Sequence, residues 1–168
     1  MRYFLINISI FLVVLSCQDR KNTSVKRETE SKLYSTTEDD KEMNQAINEA
    51  KQKLNEFEKN LVSNNFDTST FALKLRFPTE TGDEHIWATS IRLVAGEYYG
   101  IIDNVPKLTT QVKLGQRVKL NRDSITDWMY AENGVLRGGF TIRVIRRRMN
   151  DQEKRQFDSS FRLRIEDP

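Results

Sequence analysis

The sequence predicts an α+β domain, in which a long N-terminal helix packs on an antiparallel sheet of about five to seven strands and a short helix lies near the C-terminus. Two patterns predict this fold class. Apolar residues recur at helical spacing between residues 43 and 61, and from residue 70 onwards they alternate with polar ones. A helix followed by successive hairpins is typical of α+β proteins rather than of βαβ architectures.

One continuous apolar stripe predicts the N-terminal helix. Its members follow one another at intervals of three or four residues: Met43, Ile47, Ala50, Leu54, Phe57 and Leu61. Asp39 and Glu42 have the spacing of a capping box, with Asp40 as an alternative cap, and Glu49 and Lys53 form a favourable i,i+4 pair. The stripe covers fewer than three heptads, so it favours packing against the sheet over a coiled coil.

Alternating apolar residues predict the first four strands, over residues 71–77, 85–94, 98–103 and 118–120. The first strand is expected to be half-buried and to end at Pro78. In the second, alternation places four side chains on one face: Trp87, Thr89, Ile91 and Leu93. Gly96 permits the tight turn that leads into the third strand.

A hairpin is predicted around Asn133-Gly134, because a type I′ turn needs positive φ at both central positions. Its strands are expected over residues 125–131 and 135–145. If the hairpin is simple, Tyr130 lies opposite Arg137, and Trp128 lies opposite Gly139.

The C-terminal part is predicted to contain a short helix through Phe157, capped by Asn150 or Asp151, and a closing strand with Phe161, Leu163 and Ile165. Residues 146–148 are three consecutive arginines near the end of the preceding strand. Such a cluster could bind phosphate, anionic lipid or nucleic acid. On a strand, however, consecutive side chains point to opposite faces, and charges at a strand end discourage edge pairing. The second interpretation is favoured.

The first seventeen residues have the pattern of a lipoprotein signal peptide. Met1-Arg2 precedes an uncharged, almost wholly apolar run over residues 3–15, and Ser16-Cys17 follows. Residues 14–17 resemble a lipobox, which predicts cleavage between Ser16 and Cys17 and acylation of Cys17. An ordinary signal peptide or a short anchor is the alternative, although the run is shorter than the roughly 20 residues that span a bilayer.

The predicted organisation is therefore a signal peptide (1–16), a lipidated cysteine with a flexible tether (17–38) and one folded domain (39–168). The tether is almost devoid of apolar residues and cannot offset its ordering entropy. Because Gln18 is not aspartate, the periplasmic face of an outer membrane is favoured, with the inner membrane or the cell surface as alternatives.

Composition restricts the class of protein further. The chain without residues 1–16 carries 26 basic and 24 acidic side chains, a balance that argues against a nucleic-acid partner. Cys17 is the single cysteine, so its acylation would exclude disulfides. Stability must then come from packing.

The folded part resembles the YegJ-like lipoproteins, a bacterial domain-of-unknown-function family (DUF2314). The resemblance runs from about residue 39 to about residue 165. It rests on the following segments: Asp40-Lys41-Glu42-Met43-Asn44-Gln45-Ala46-Ile47, Phe71-Ala72-Leu73-Lys74-Leu75, His85-Ile86-Trp87, residues 100–106 (GIIDNVP), Ile125-Thr126-Asp127-Trp128-Met129-Tyr130, Asn133-Gly134 and Gly139-Phe140-Thr141-Ile142-Arg143. The resemblance implies a fold and an envelope location, and it implies no activity.

Residues suited to catalysis or metal binding are sparse. His85 is the single histidine, and no glycine-rich phosphate loop is present. No group of His, Cys and carboxylate residues has the spacing of a zinc site. Asp83-Glu84 and Asp39-Asp40 are acidic pairs typical of turns and caps rather than of a calcium loop. We therefore expect no catalytic set, no metal and no cofactor.

Asp127, Trp128 and Arg143 allow two interpretations. In the first, Trp128 packs in the core over Gly139, and Asp127 forms a buried or rim ion pair with Arg143. In the second, four residues of types enriched at interfaces form a recognition surface: Trp128, Tyr130, Arg137 and Arg143. The sequence leaves both open.

Together these patterns favour a non-enzymatic cell-envelope lipoprotein. It would contact the membrane through Cys17 and bind a protein or peptide with its tethered domain. An immunity or inhibitor-type protein that acts against an envelope-directed toxin or hydrolase is the first alternative. An envelope enzyme that uses His85 or Asp127 as a base is the second.

Overall fold

The computed structural model describes residues 40–63, 67–161 and 163–166. The predicted signal peptide, Cys17, the tether and the candidate cap Asp39 lie outside these residues. Within the described part of the chain, no helix combines the length and the apolar character needed to cross a membrane.

The described residues form four α-helices and one six-stranded antiparallel sheet. The helices are α1 (Lys41–Gln52), α2 (Leu54–Val62), α3 (Phe140–Arg148) and α4 (Asp151–Ser160). The strands are β1 (Ala72–Thr79), β2 (Gly82–Val94), β3 (Glu97–Ile102), β4 (Arg117–Leu120), β5 (Ile125–Glu132) and β6 (Val135–Gly138). The predicted α+β class and number of strands are confirmed.

Helices cover both faces of the sheet, whose strand order is β4-β3-β2-β1-β5-β6. On one face, Phe57 of α2 belongs to the same apolar cluster as Leu73. On the other face, Ile142 of α3 belongs to the same cluster as Ala72. The first half of β1 is therefore buried on both sides, and the prediction of a half-buried strand is wrong there.

The N-terminal helix consists of two short helices, of 12 and 9 residues, instead of the long one predicted. The interruption lies at Lys53. One turn earlier, the carbonyl oxygen of Ala50 accepts the indole N–H of Trp128 at 2.8 Å. A side chain that takes a helix carbonyl breaks the regular ladder of hydrogen bonds, which explains why a continuous apolar stripe is divided.

The second half of the apolar stripe, from Ala50 onwards, docks on the sheet as predicted, whereas Met43 and Ile47 pack against α3. The members of the stripe are buried except Ile47, which is half-buried. Asp40 is the N-cap, since its carboxylate accepts the backbone N–H of Met43 at 3.1 Å. The predicted pair of Glu49 and Lys53 is present at 2.7 Å.

Strand β2 contains a bulge that reverses its alternation. Ser90 has a φ of 53°, and the register to β3 shifts between Thr89 and Arg92. Trp87 therefore joins the apolar cluster on the α3 face, and Ile91 joins the cluster on the α2 face. The prediction that these two residues share a face is wrong, because a bulge adds one residue to the count.

The β5–β6 hairpin has the predicted turn and register. Asn133 and Gly134 have φ of 51° and 76°, and Tyr130 pairs with Arg137. The predicted return strand to residue 145 is wrong, since β6 ends at Gly138 and a helix begins at Phe140.

The C-terminal segment is only partly as predicted. Asn150 caps α4 in a full capping box with Glu153. The expected closing strand is absent from the described residues, where Arg164 makes an isolated parallel bridge to Val135. That bridge covers the outer edge of β6.

Candidate functional site

A row of polar side chains crosses the sheet on the face covered by α3. Lys74 of β1 lies opposite Asp127 of β5 on one side and opposite Trp87 of β2 on the other. The Lys74 ammonium donates to the Thr141 hydroxyl at 3.2 Å and lies 5.4 Å from the centre of the Trp87 ring. Two residues before Trp87 on β2, His85 Nδ1 lies 2.9 Å from Thr126 Oγ1.

Asp127 caps α3 from the neighbouring strand. The residue at the N-cap position is Gly139, which has a φ of 66° and offers no side chain. Asp127 supplies the missing acceptor: Oδ1 accepts the N–H of Phe140 at 3.1 Å, and Oδ2 accepts the N–H of Thr141 at 2.9 Å. A carboxylate at a helix N-terminus satisfies free amides and interacts favourably with the helix dipole.

The same carboxylate accepts two further hydrogen bonds, from the Trp128 N–H at 2.8 Å and from the Thr141 hydroxyl at 2.6 Å. Burial raises the pKa of Asp127, against the opposing effects of the Thr141 hydrogen bonds and the Lys74 charge. The side chain is fully buried, and both oxygens are occupied by main-chain or Thr141 donors. This arrangement suits a structural cap, and it leaves no acceptor for a substrate proton.

The two aromatic residues of the predicted recognition surface lie in the core. Trp128 and Tyr130 are 1% and 2% exposed. Trp128 packs edge-to-face on Phe140 and near Phe57, and Tyr130 stacks on Phe71 with ring centres 4.8 Å apart. Trp128 is thus a core residue, as the first of the two interpretations predicted.

The two arginines of that surface lie at the border of β6. Arg137 is partly exposed and pairs with Glu132 at 2.6 Å. Arg143 donates to the carbonyl oxygens of Leu136 and Gly138 at 3.0 and 3.2 Å, and also to that of Glu166. Arg143 therefore fastens the C-terminal segment and does not form the predicted ion pair with Asp127, whose partners are the α3 amides and Thr141.

Gly138, and not Gly139, is the glycine that lies under Trp128. A Cβ atom at Gly138 would lie 2.4 Å from the Trp128 ring and 2.2 Å from its carbonyl oxygen. A Cβ atom at Gly139 would instead meet Leu136. The pairing register is as predicted, since Met129 pairs with Gly138 and the N–H of Gly139 donates to the Trp128 carbonyl at 2.8 Å, but the Trp128 ring lies over Gly138 instead of Gly139.

The three consecutive arginines form the last turn of α3, where positive charge is favourable, and each meets carboxylates. Arg146 pairs with Asp158 at 2.8 Å, Arg147 with Glu42 at 2.8 Å, and Arg148 with Asp40 at 2.6 Å. Arg148 also pairs with Glu42 at 3.0 Å. The cluster thus ties α3 to α1 and α4.

The loop between β3 and β4, residues 103–116, is the feature that sequence reasoning missed. The carboxylate of Glu84 accepts three consecutive backbone N–H groups of the loop, from Lys107, Leu108 and Thr109, at 2.7, 3.0 and 2.7 Å. Asn104 Oδ1 accepts the N–H of Trp87 at 2.7 Å. These bonds fix the loop along β2.

This fixed loop nevertheless presents large apolar side chains to solvent. Val105, Leu108 and Leu114 are 48%, 55% and 46% exposed. Lys107 and Lys113 lie between them and are exposed as well. We call residues 103–116 the apolar–basic loop. The sequence signal for it is a run of 19 residues, 104–122, that contains five basic and no acidic residues.

Comparison with known proteins shows the family of the chain. The family model of an uncharacterised protein conserved in bacteria, DUF2314, matches residues 40–164. The chain belongs to the DUF2314 family. It is 35% identical over 104 residues to the uncharacterised protein YegJ of Escherichia coli K12, which is 62% of this chain and 67% of that protein.

A second relative is a putative ankyrin repeat protein of Neisseria meningitidis serogroup B, 35% identical over 85 residues. The match covers 51% of this chain and 34% of that protein, so the chain spans about a third of its length. No solved structure matches.

Four of the segments that resemble the DUF2314 family, one of them containing Trp87, meet around this residue. Its backbone N–H donates to Asn104, which belongs to the GIIDNVP segment. Its ring lies beside Lys74, which pairs in the sheet with Asp127 of the Asp127-Trp128 segment. In this DUF2314 domain these segments therefore build one scaffold, which holds both the α3 cap and the apolar–basic loop. Within the described part of the chain, no group of three potential metal ligands occurs.

Proposed function

We propose that this chain is a cell-envelope lipoprotein whose DUF2314 domain is a non-enzymatic binding module. The envelope address rests on the apolar run over residues 3–15 and on Cys17. The domain would be held to the membrane through the acylated cysteine and separated from it by the tether.

The apolar–basic loop is the observation that carries a binding role. Exposing large apolar side chains to water costs free energy, which is recovered when a partner covers them. A loop that main-chain hydrogen bonds already order loses little further conformational entropy on binding. Val105, Leu108 and Leu114 combine both properties. Of the five large hydrophobic residues that are exposed in the described part of the chain, these three lie on this one loop.

The environment of the candidate bases supports a non-enzymatic role. The Asp127 carboxylate accepts the first N–H groups of α3, and the Nδ1 atom of His85 lies 2.9 Å from the Thr126 hydroxyl. A general base must reach the proton that it abstracts. For Asp127 no such path exists, because both carboxylate oxygens accept hydrogen bonds from the main chain or from Thr141.

Anchoring is tested with Cys17→Ser in the full chain. We expect the variant to lose incorporation of labelled fatty acid and to leave either an uncleaved precursor or a soluble product. Two or more acyl chains hold a protein stably on a membrane, whereas one holds it marginally. Unchanged incorporation in the variant would exclude the lipobox.

Binding is tested by placing a photoreactive amino acid at Leu108 in intact cells. Val94 is the matched control, since it is equally exposed at 55% but is the last residue of β2, beside the start of β3, whereas the loop follows the end of β3. We expect adducts, to protein or to lipid, from the Leu108 position and none from the Val94 position. Equal yields at the two positions would contradict a binding role for the loop.

A further inference from the structure

We infer that the apolar–basic loop rests on an anionic lipid surface, so that the domain is docked on the membrane and not merely tethered to it. This inference depends on the proposed envelope location. It assigns an occupant to the loop, which the proposed function leaves open.

The charge of the loop is the first argument. Of the five basic residues between positions 104 and 122, Lys119 pairs with Glu97 at 3.0 Å and Arg122 pairs with Glu58. The other three, Lys107, Lys113 and Arg117, are exposed, and no acidic side chain of the described residues pairs with them. These three cations outnumber Glu84 and Asp103, the acidic residues at the loop, so the loop carries a net positive charge that complements an anionic partner.

The side-chain types favour lipid over protein. Between residues 103 and 116 the apolar side chains are aliphatic, with no Phe, Trp or Tyr, and the cations are lysines. Protein interfaces are enriched in aromatic residues and arginine and are depleted of lysine. Elements in the membrane interface also use aromatic residues, so it is the lysines that favour lipid: such elements combine large apolar side chains, leucine among them, with Lys or Arg.

Three backbone N–H groups of the loop already have hydrogen-bond acceptors within the protein, which lowers the cost of moving them out of water. Moving a free N–H out of water is costly when it gains no partner. The N–H groups of Lys107, Leu108 and Thr109 already donate to Glu84, so they do not depend on water. Leu108 can thus approach the acyl boundary without stripping water from the N–H groups on either side of it.

The chain outside the structure also favours contact. The tether is attached at residue 40 and, fully extended, spans roughly 75 Å at about 3.3 Å per residue. It therefore does not prevent the domain from reaching the surface. A tether of this kind also raises the effective concentration of the loop at the membrane, so a weak contact suffices.

The test uses the full chain reconstituted into vesicles through its N-terminal segment. An environment-sensitive fluorophore is attached in Leu108→Cys and, as the matched control, in Val94→Cys. The wild-type chain taken through the same labelling reports any contribution of Cys17. Vesicles contain either phosphatidylethanolamine with phosphatidylglycerol, which is anionic, or phosphatidylcholine alone.

We expect an apolar shift of emission and quenching by a lipid-borne quencher for Leu108→Cys on anionic vesicles only. The signal should fall with salt, because the Debye length shortens. Adding Lys107→Gln and Lys113→Gln should weaken the contact about 25-fold, at about fivefold for each cation removed. The melting temperature should be unchanged, since both lysines are exposed.

Equal emission at the two labelled positions, or on the two kinds of vesicle, would overturn the inference. An apolar shift of the Leu108→Cys emission that is produced by an envelope protein fraction without lipid would also overturn the inference, but it would leave the proposed binding module intact. If neither the vesicles nor the protein fraction shifts the emission, both the inference and the proposed binding module are overturned.

Discussion

Replacing Asp127 by alanine should destabilise the domain by about 3–5 kcal/mol. The loss of an N-cap side chain costs about 1–2 kcal/mol, and each buried donor left without an acceptor costs about 1–3 kcal/mol. The N–H groups of Trp128, Phe140 and Thr141 lose their acceptor together. Removing one member of a buried charged network, here the one facing Lys74, costs about the same total.

The conservative variant Asp127→Asn separates the loss of charge from the loss of the cap. An amide retains one acceptor oxygen, which can still serve the amides of Trp128 and Phe140, but it presents a donor towards Thr141. We expect a loss of about 1–3 kcal/mol. If Asp127→Ala fails to fold, this variant still measures the contribution of the cap.

Urea unfolding followed by tryptophan fluorescence is the assay, since Trp87 and Trp128 are both buried. Asp123→Ala is the matched control, because Asp123 lies four residues earlier and is exposed. Its effect should stay within about 0.5 kcal/mol. A loss below about 1 kcal/mol for Asp127→Ala would refute the capping argument.

The pH dependence of this difference has a defined sign. Burial raises the pKa of Asp127 in the folded state above its unfolded value. The proton on Asp127 therefore favours the folded state at acid pH, and that contribution is lost as the pH rises through the folded pKa. The stability advantage of wild type over Asp127→Asn should be largest at acid pH and should shrink as the pH rises.

Three further outcomes are expected from the same unfolding assay. Leu54→Ala should cost about 2–5 kcal/mol, as for a buried leucine, and a loss under about 0.5 kcal/mol would contradict docking of α2 on the sheet. Gly138→Ala should cost more than Gly134→Ala by about 1–3 kcal/mol, because both have positive φ but only Gly138 lies against Trp128; equal losses would contradict the clash. Asp40→Asn should cost about 1 kcal/mol at neutral pH, because the hydrogen bond from Arg148 lowers the pKa of Asp40 to about 2. That difference should vanish as the pH falls from about 4 to about 2, and a constant difference would contradict it.

The features that could be predicted from the sequence are those set by local geometry. The Asn133-Gly134 turn fixes the register of its hairpin, because a two-residue type I′ turn leaves one pairing available. The N-terminal apolar stripe predicts which side chains of the helix face the interior. It does not predict the break at Lys53, which depends on the indole of Trp128, 78 positions from the Ala50 carbonyl that it binds.

Helix α3 could not be predicted for a similar reason. Residues 140–145 are rich in Thr, Val, Ile and Phe, which favour strands. Two successive glycines in the left-handed region turn the chain out of the sheet, and Asp127 then offers an acceptor to the first amides of a helix. Tertiary contacts override intrinsic propensity at this point, so alternation alone gave a strand.

The roles of the candidate site residues could not be predicted either, because they too depend on contacts between residues that are distant in sequence. Asp127 and Trp128 are residue types suited to chemistry and to binding, yet their partners, the α3 amides and the Ala50 carbonyl, are distant in sequence and make them scaffold. Beyond the end of the GIIDNVP segment the apolar–basic loop contains no motif, but the run without acidic residues over 104–122 was visible in the sequence. That signal acquires meaning only when Glu84 is seen to hold the loop with its leucines outward, because an acid-free stretch buried in the fold would carry no surface charge. Exposure, which the sequence does not determine, thus decides which charged segment can meet a partner.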